Sequence, residues 1–348
     1  MQLKQLNGAD VVTQAESGQE ALITPPPVAP LPRGRRLHLP SWVGLVLGNP
    51  LAVVGCVILG VIVLGAICAP LLTPYAPDAY TQAGAQPPSS AHLFGTNDKA
   101  QDIFAQVLYG GRFSLAVGFV AGLAVTTVAT LAGMTAGYMG GWVDDVLGLV
   151  MNIFLVVPQL PLLIVLSAYA PLGQGNLVGS GLTMALVITI TGWAWGGRVM
   201  RSQTLSLRRR DFVQAAVVGG ESTPRIIFGE VLPNMISLIA NTIISSTLGA
   251  ILLESSLEFL GLGDSTNITW GTMLYNAQAG SVLYSGEWWV FVCPGLAIAL
   301  TILSMILINN AVDTISNPRL RVVKMRPAKA KGAPQASAAT IADSKAAL

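Results

Sequence analysis

Glu254 and Glu258 stand four residues apart, a spacing that puts both carboxyls on one face of a helix. Acidic groups at membrane depth mark gates or solute pathways. A span starting near Asn234 places Glu254 about 30 Å along it, at the outer interface rather than the midplane, which argues against a proton relay. The plainer reading of the pair is a solvated helix end; the functional one is a gate. Other chemistry is sparse. Cys56 and Cys68 would lie about 18 Å apart on one helix, and Cys293 stands alone, so no disulfide or cysteine metal site is expected. His38 and His92 are isolated, and no Ser, His, Asp constellation offers a nucleophile. The chain has no Gly-Lys dipeptide and hence no GxxxxGK[ST] phosphate loop. A non-catalytic protein that does not use nucleotide by that route is the expectation.

The elements that hold these residues are set by where charge is missing. Of 348 residues, 52% are apolar and 10% charged, against about 25% charged in soluble domains, which excludes a water-soluble globule. A formal charge of +2 excludes an electrostatic nucleic-acid binder. Stretches without charge are long enough for membrane spans of about 20 residues. They predict an all-α, polytopic membrane protein with six transmembrane helices, at 46–72, 113–137, 146–169, 181–199, 234–257 and 288–311. Ala170-Pro171-Leu172-Gly173-Gln174-Gly175-Asn176 carries the turn chemistry that separates the third span from the fourth. Residues 1–45 and 319–348 read as disordered tails, 73–112 as an extracytoplasmic segment, and 113–318 as the core.

Pro158 and Pro161, and Pro294-Gly295, are kink or hinge candidates. Trp193, Trp195, Trp288 and Trp289 fall near span ends and suggest an aromatic belt. Asn152, Gln159, Ser167, Asn241, Thr242 and Ser245 are polar groups that could line a pathway or serve as interhelical hydrogen-bond glue. Basic residues, retained on the cytoplasmic side, give the orientation. All nineteen except Lys99 and Arg112 fall in the two tails or between spans four and five, so both termini are expected in the cytoplasm.

The loop 201–233 is basic and also patterned. Phe212, Ala215, Ala216 and Gly219 recur at i, i+3, i+4 and i+7, one face of a short helix. Gly219-Gly220 stops it, and Ser222-Thr223-Pro224 starts a second helix running towards Pro233. Small residues on the first helix allow close approach by a partner.

This segment resembles the cytoplasmic signature of the membrane subunits of ATP-binding-cassette importers, which begins Glu-Ala-Ala, has Gly six positions after the Glu and ends in Leu-Pro. Here Gln214-Ala215-Ala216, Gly220 and Leu232-Pro233 fall at that spacing, with Gln214 in place of the glutamate. More of the chain is similar to the C-type permease of dipeptide and oligopeptide importers. The blocks are Leu93-Phe94-Gly95-Thr96-Asn97-Asp98, Leu108-Tyr109-Gly110-Gly111-Arg112-Phe113-Ser114-Leu115, Ala136-Gly137-Tyr138-Met139-Gly140-Gly141-Trp142-Val143-Asp144, Leu205-Ser206-Leu207-Arg208, Phe259-Leu260-Gly261-Leu262-Gly263 before Trp270-Gly271, and Asn317-Pro318-Arg319-Leu320. After Asp98 the chain reads Lys99-Ala100-Gln101-Asp102, where the family usually has Leu-Gly-Arg-Asp.

The resemblance implies a type I importer permease in a bacterial or archaeal inner membrane, forming half of a peptide pathway. It implies a second permease subunit, two ATPase subunits that hold ATP and Mg, and an extracytoplasmic solute-binding protein, with no cofactor bound by this chain. It assigns ATPase coupling to Phe212, Gln214, Ala215, Ala216, Gly219, Gly220, Leu232 and Pro233. Glu254, Glu258, Asn152, Gln159 and Asn241 are the pathway or gate candidates. Nickel or another small solute is the alternative cargo, and an ion-gradient-driven transporter or a membrane scaffold the alternative class. The orientation is testable: reporter fusions after Gln86 and Asn176 should lie outside and one near Glu221 inside, and an external Glu221 would overturn it.

Overall fold

The computed structural model describes residues 49–80, 84–169, 177–264, 266–280, 282 and 284–316, without the side chains of 177–179 and 313–316. The expected tails, the turn at 170–176 and the block at 317–320 lie outside the described residues. Within them the chain is helical, with a single bridge pair, Thr96 and Asp102, in place of any strand.

The order is α1 Pro50–Ile67, α2 Ala69–Leu72, α3 Ile103–Met139, α4 Gly141–Val156, α5 Gln159–Tyr169, α6 Leu177–Leu207, α7 Asp211–Val218, α8 Thr223–Ile226, a π-helical turn Ile227–Val231, α9 Leu232–Asn234, α10 Ile236–Phe259, α11 Trp270–Ala279 and α12 Trp288–Ser316. Four of these, α1, α3, α10 and α12, are long and apolar enough to cross a membrane. The pair α4 and α5, bent by 92°, makes a fifth if it is one span. The fourth expected span coincides with α6, which has 31 residues and is not among the four.

Two boundaries differ from the sequence reading for clear reasons. The helix expected at 113 begins at Ile103, because Asp102 caps it: Oδ1 accepts from the Ala105 amide at 2.7 Å. A hydropathy boundary stops at Arg112, but a capped helix does not. At 37 residues α3 is about 55 Å long and outruns a hydrocarbon layer of about 30 Å, so its first turns belong to the segment expected to lie outside the span. The helix expected at 146–169 breaks at Val157, which precedes Pro158 and is held extended (φ −71°, ψ 125°), as the proline ring demands. By contrast α12 runs through Pro294 as one helix.

The core forms where α3, α6 and α10 meet. Val117, Ala121 and Val125 of α3 pack with Met184, Ala185 and Ile188 of α6, Leu163 of α5 and Ala250 of α10. Backbones come close: a Cβ on Gly122 would lie 2.5 Å from the Thr247 backbone, and one on Gly133 2.4 Å from the Gly197 carbonyl. Trp195 and Trp288 are exposed, as a belt would require. Trp193 and Trp289 are buried instead, and Trp289 Nε1 donates to the Thr96 carbonyl at 3.0 Å.

Residues 84–102 cover the Asp102 end of the bundle. His92 Nδ1 lies 2.7 Å from Asp102 Oδ2, with both residues buried. Arg112 donates from Nε and Nη2 to the carbonyls of Ala66 (2.5 Å) and Ile67 (2.8 Å), closing the C-terminus of α1 with a positive charge. Ala100 has φ +56°, the one non-glycine residue in the left-handed region among those described. It sits at the position where the resembling family has glycine. Ala100→Gly should raise stability by about 1 kcal/mol, measured as a higher thermal unfolding midpoint of the purified protein.

Candidate coupling surface and pathway

The α7 end is built around Val213, which is fully buried among Met134 and Tyr138 of α3, Met200 of α6 and Ile226, Ile227, Val231 and Met235 of the return segment. That single peg fixes which face of α7 is left outward. Phe212, Gln214, Ala215, Gly219 and Gly220 are exposed, as are Val217 and Val218, the last at 87%. Ala216 and Leu232 are half-buried against the Val213 cluster, so they hold the module rather than face outward, while Pro233 is exposed. The expected residues are thus brought into one module but serve two sides of it.

The helix stop is a Schellman arrangement. The Gly220 amide donates to the Val217 carbonyl and the Glu221 amide to the Ala216 carbonyl, each at 3.1 Å. Gly220 takes φ +77°, which a side chain would oppose. Arg225 pairs with Glu221 at 3.0 Å across the turn. Pro233 cannot donate to the Gly229 carbonyl as a regular helix requires. The register widens just before it, with the Leu232 amide reaching back to the Ile227 carbonyl. Gln214 Nε2 donates to the Arg208 carbonyl at 2.9 Å, a bond that a glutamate, with no N–H, cannot make.

The pathway candidates do not converge. Glu254 and Glu258 are buried, at 0% and 2% exposure, so the expectation of a solvated helix end is overturned. The extra turns of α3 and the chain from Leu260 into α11 close over that end of α10. Glu254 accepts from Ser114 Oγ of α3 at 3.0 Å and from Ser255 Oγ at 3.1 Å. Glu258 accepts from Thr269 Oγ1, the N-cap of α11, and a Cβ on Gly271 would fall 2.6 Å from the Glu258 Cβ. No lysine or arginine pairs with either carboxyl among the described residues. They form an interhelical clamp of α3, α10 and α11.

Asn241 is half-buried about 20 Å away along α10. Asn152 is exposed and accepts from Arg198 Nη2, and Gln159 is exposed at the start of α5. A cavity of about 680 Å³ instead opens at the Asp102 end, lined by Tyr109, Arg112 and Phe113 of α3, Gly181 and Leu182 of α6, and Asn267. None of the five pathway candidates lines it. The helical extension of α3, which hydropathy hid, was the missing signal.

With this geometry in place the chain can be set beside known proteins. Residues 129–322 match the family of binding-protein-dependent transport system inner membrane components, and residues 47–88 match the N-terminal transmembrane domain of oligopeptide transport permease C. The chain belongs to the first family, as a non-catalytic, multi-pass membrane component of a transport system. It is 35% identical over 312 residues to the dipeptide transport system permease protein DppC of Alkalihalophilus pseudofirmus, covering 86% of this chain and 97% of that one. It is 32% identical over 277 residues to DppC of Bacillus subtilis, 78% of this chain and 83% of that one. Over 282 residues it is 32% identical to the oligopeptide transport system permease protein OppC of Mycobacterium tuberculosis, 80% of this chain and 94% of that one.

The clamp makes a prediction. Glu258→Ala takes the carboxyl acceptor from the buried Thr269 hydroxyl, leaving it only the Thr272 hydroxyl at 3.1 Å, and should cost about 1–3 kcal/mol of stability. Glu258→Gln keeps an acceptor at that place and should lose far less. Thermal unfolding of the two variants side by side measures the difference.

Proposed function

We propose that this chain is one of two permease subunits of an ATP-driven importer of short peptides. The outward face of α7, held in place by the Val213 peg, carries the reading. A short helix that leaves Phe212, Val217 and Val218 exposed beyond the ends of the membrane helices offers a surface for a soluble partner. The names of the relatives favour dipeptides or oligopeptides over nickel as cargo.

In this reading two ATPase subunits hold ATP and Mg and engage α7 through Phe212, Gln214, Ala215, Gly219 and Gly220. Ala216, Leu232 and Pro233 keep the module in shape. A second permease completes the pathway, and an extracytoplasmic binding protein delivers the peptide. Both termini and α7 face the cytoplasm of a bacterial or archaeal cell. Glu254 and Glu258 brace the external end of the bundle, and Asn152, Gln159 and Asn241 act as separate polar positions rather than as one lining.

The test is uptake of a labelled dipeptide, with the accompanying ATP hydrolysis, by the reconstituted complex. Gly220→Leu forces a branched side chain into the left-handed turn that ends α7. It should leave the chain inserted while cutting peptide-stimulated ATP hydrolysis and uptake at least tenfold. Unchanged uptake and stimulation would remove α7 from the coupling route.

A further inference from the structure

The helices of the α7 end are not held together in one way. α6 is locked to α3 by backbone contact: a Cβ on Gly133 would lie 2.6 Å from the Met200 Cβ, and one on Gly137 2.7 Å from the Arg201 carbonyl. α4 has no such lock on α6. Met151 fills the space against Gly197, where a Cβ would come within 3.4 Å of its sulfur. Beside it lies a polar cavity of about 480 Å³, bounded by Asp144, Asp145, Gly148, Asn152, Arg198 and Arg201.

Two polar ties cross that gap. Arg201 grips the Asp144 carboxylate with two parallel N–H donors, Nε to Oδ1 and Nη2 to Oδ2, the second at 2.6 Å. The planar fork of a guanidinium on a carboxylate fixes direction as well as distance. Arg198 Nη2 donates to Asn152 Oδ1 two turns further along α4. Asp144 stands in the first turn of α4, just after the Gly140-Gly141 reversal, where both glycines have positive φ. Arg201 stands in the last turns of α6, which leads through Arg208–Arg210 into α7.

We infer that the Asp144–Arg201 pair is the strut through which a displacement of α7 and α6 is passed to α4. The inference rests on the reading of α7 as the surface that receives the ATPases. Without the strut α4 is restrained on that side by Met151, by Phe154 against the Trp193 ring further along the helix, by the Arg198 tie and by the glycine reversal, with no charged tie left at its first turn, and the push from α7 ends at α6. Asp144 and Arg201 are positioning residues and touch no cargo.

Arg201→Gln and Asp144→Asn should keep ATP hydrolysis within twofold of wild type while uptake falls at least tenfold. The reciprocal exchange, Asp144→Arg with Arg201→Asp, should restore uptake to within threefold. A second readout needs no partner subunit: spin labels at Leu149 of α4 and Ser202 of α6, in the chain alone in lipid nanodiscs, should give a narrow distance distribution that broadens in Arg201→Gln. Broadening without a transport defect, full uptake by either single variant, or an exchange that inserts normally yet fails to restore uptake overturns the inference. If the wild-type complex neither binds ATPases nor moves peptide, it is the importer reading that fails, and the label distances still report on the strut.

Discussion

Backbone proximity along α3 is the constraint on which the other helices depend. In lipid, apolar side chains gain little by moving from hydrocarbon to protein, so helices associate by how closely their backbones approach. α3 supplies two glycine pairs at i, i+4. Gly118 and Gly122 admit Ile251 and Thr247 of α10, and Gly133 and Gly137 admit Met200, Arg201 and Thr204 of α6. Because the pairs lie fifteen residues apart, one helix of about 55 Å registers α10 at one level and α6 at another. A larger side chain at Gly122, Gly133 or Gly137 would meet a neighbour's backbone, where no rotamer change can absorb it, and one at Gly118 would meet the Ile251 side chain at 2.2 Å.

Everything chemical hangs from that registration. With α10 seated on Gly118, Ser114 comes to Glu254, and the clamp that brings α11 onto Glu258 can close. With α6 seated on Gly133 and Gly137, Met200 joins Met134 and Tyr138 to form the socket that takes Val213. The orientation of α7 and the burial of the two glutamates are therefore consequences of the same helix. The Arg112 side chain, fixed on the C-terminus of α1, ties the first helix into this frame as well.

Several of these features were legible in the sequence. The spacing of Phe212, Ala215, Ala216 and Gly219 placed them on one face of a helix that stops at Gly219-Gly220; the structure has that helix and that stop, but turns Ala216 inward against Val213. What escaped has physical causes. Hydropathy ends a span at Arg112, whereas the Asp102 cap carries the helix ten residues further. Two carboxylates read as a wet helix end because their hydroxyl partners, Ser114 and Thr269, come from elements distant in sequence. Nothing local says that Asp144 and Arg201 meet across 57 residues. The glycine pairs have Gly-x-x-x-Gly spacing, a pattern that brings membrane helices close, and the span assignment made no use of it. Their partners became clear only once α6 and α10 were placed.

The central claim is that energy from partner ATPases enters through the open face of α7. It is tested most directly by a single cysteine at Val218, with Cys56, Cys68 and Cys293 replaced, probed by a membrane-impermeant maleimide on reconstituted complexes of known orientation. The account predicts fast labelling from the cytoplasmic side in the permease alone and strong protection once the ATPase subunits are bound, while a cysteine at Tyr284, 95% exposed towards the other end of the bundle, labels from outside in both states. Equal labelling of the Val218 position with and without bound ATPases would contradict it.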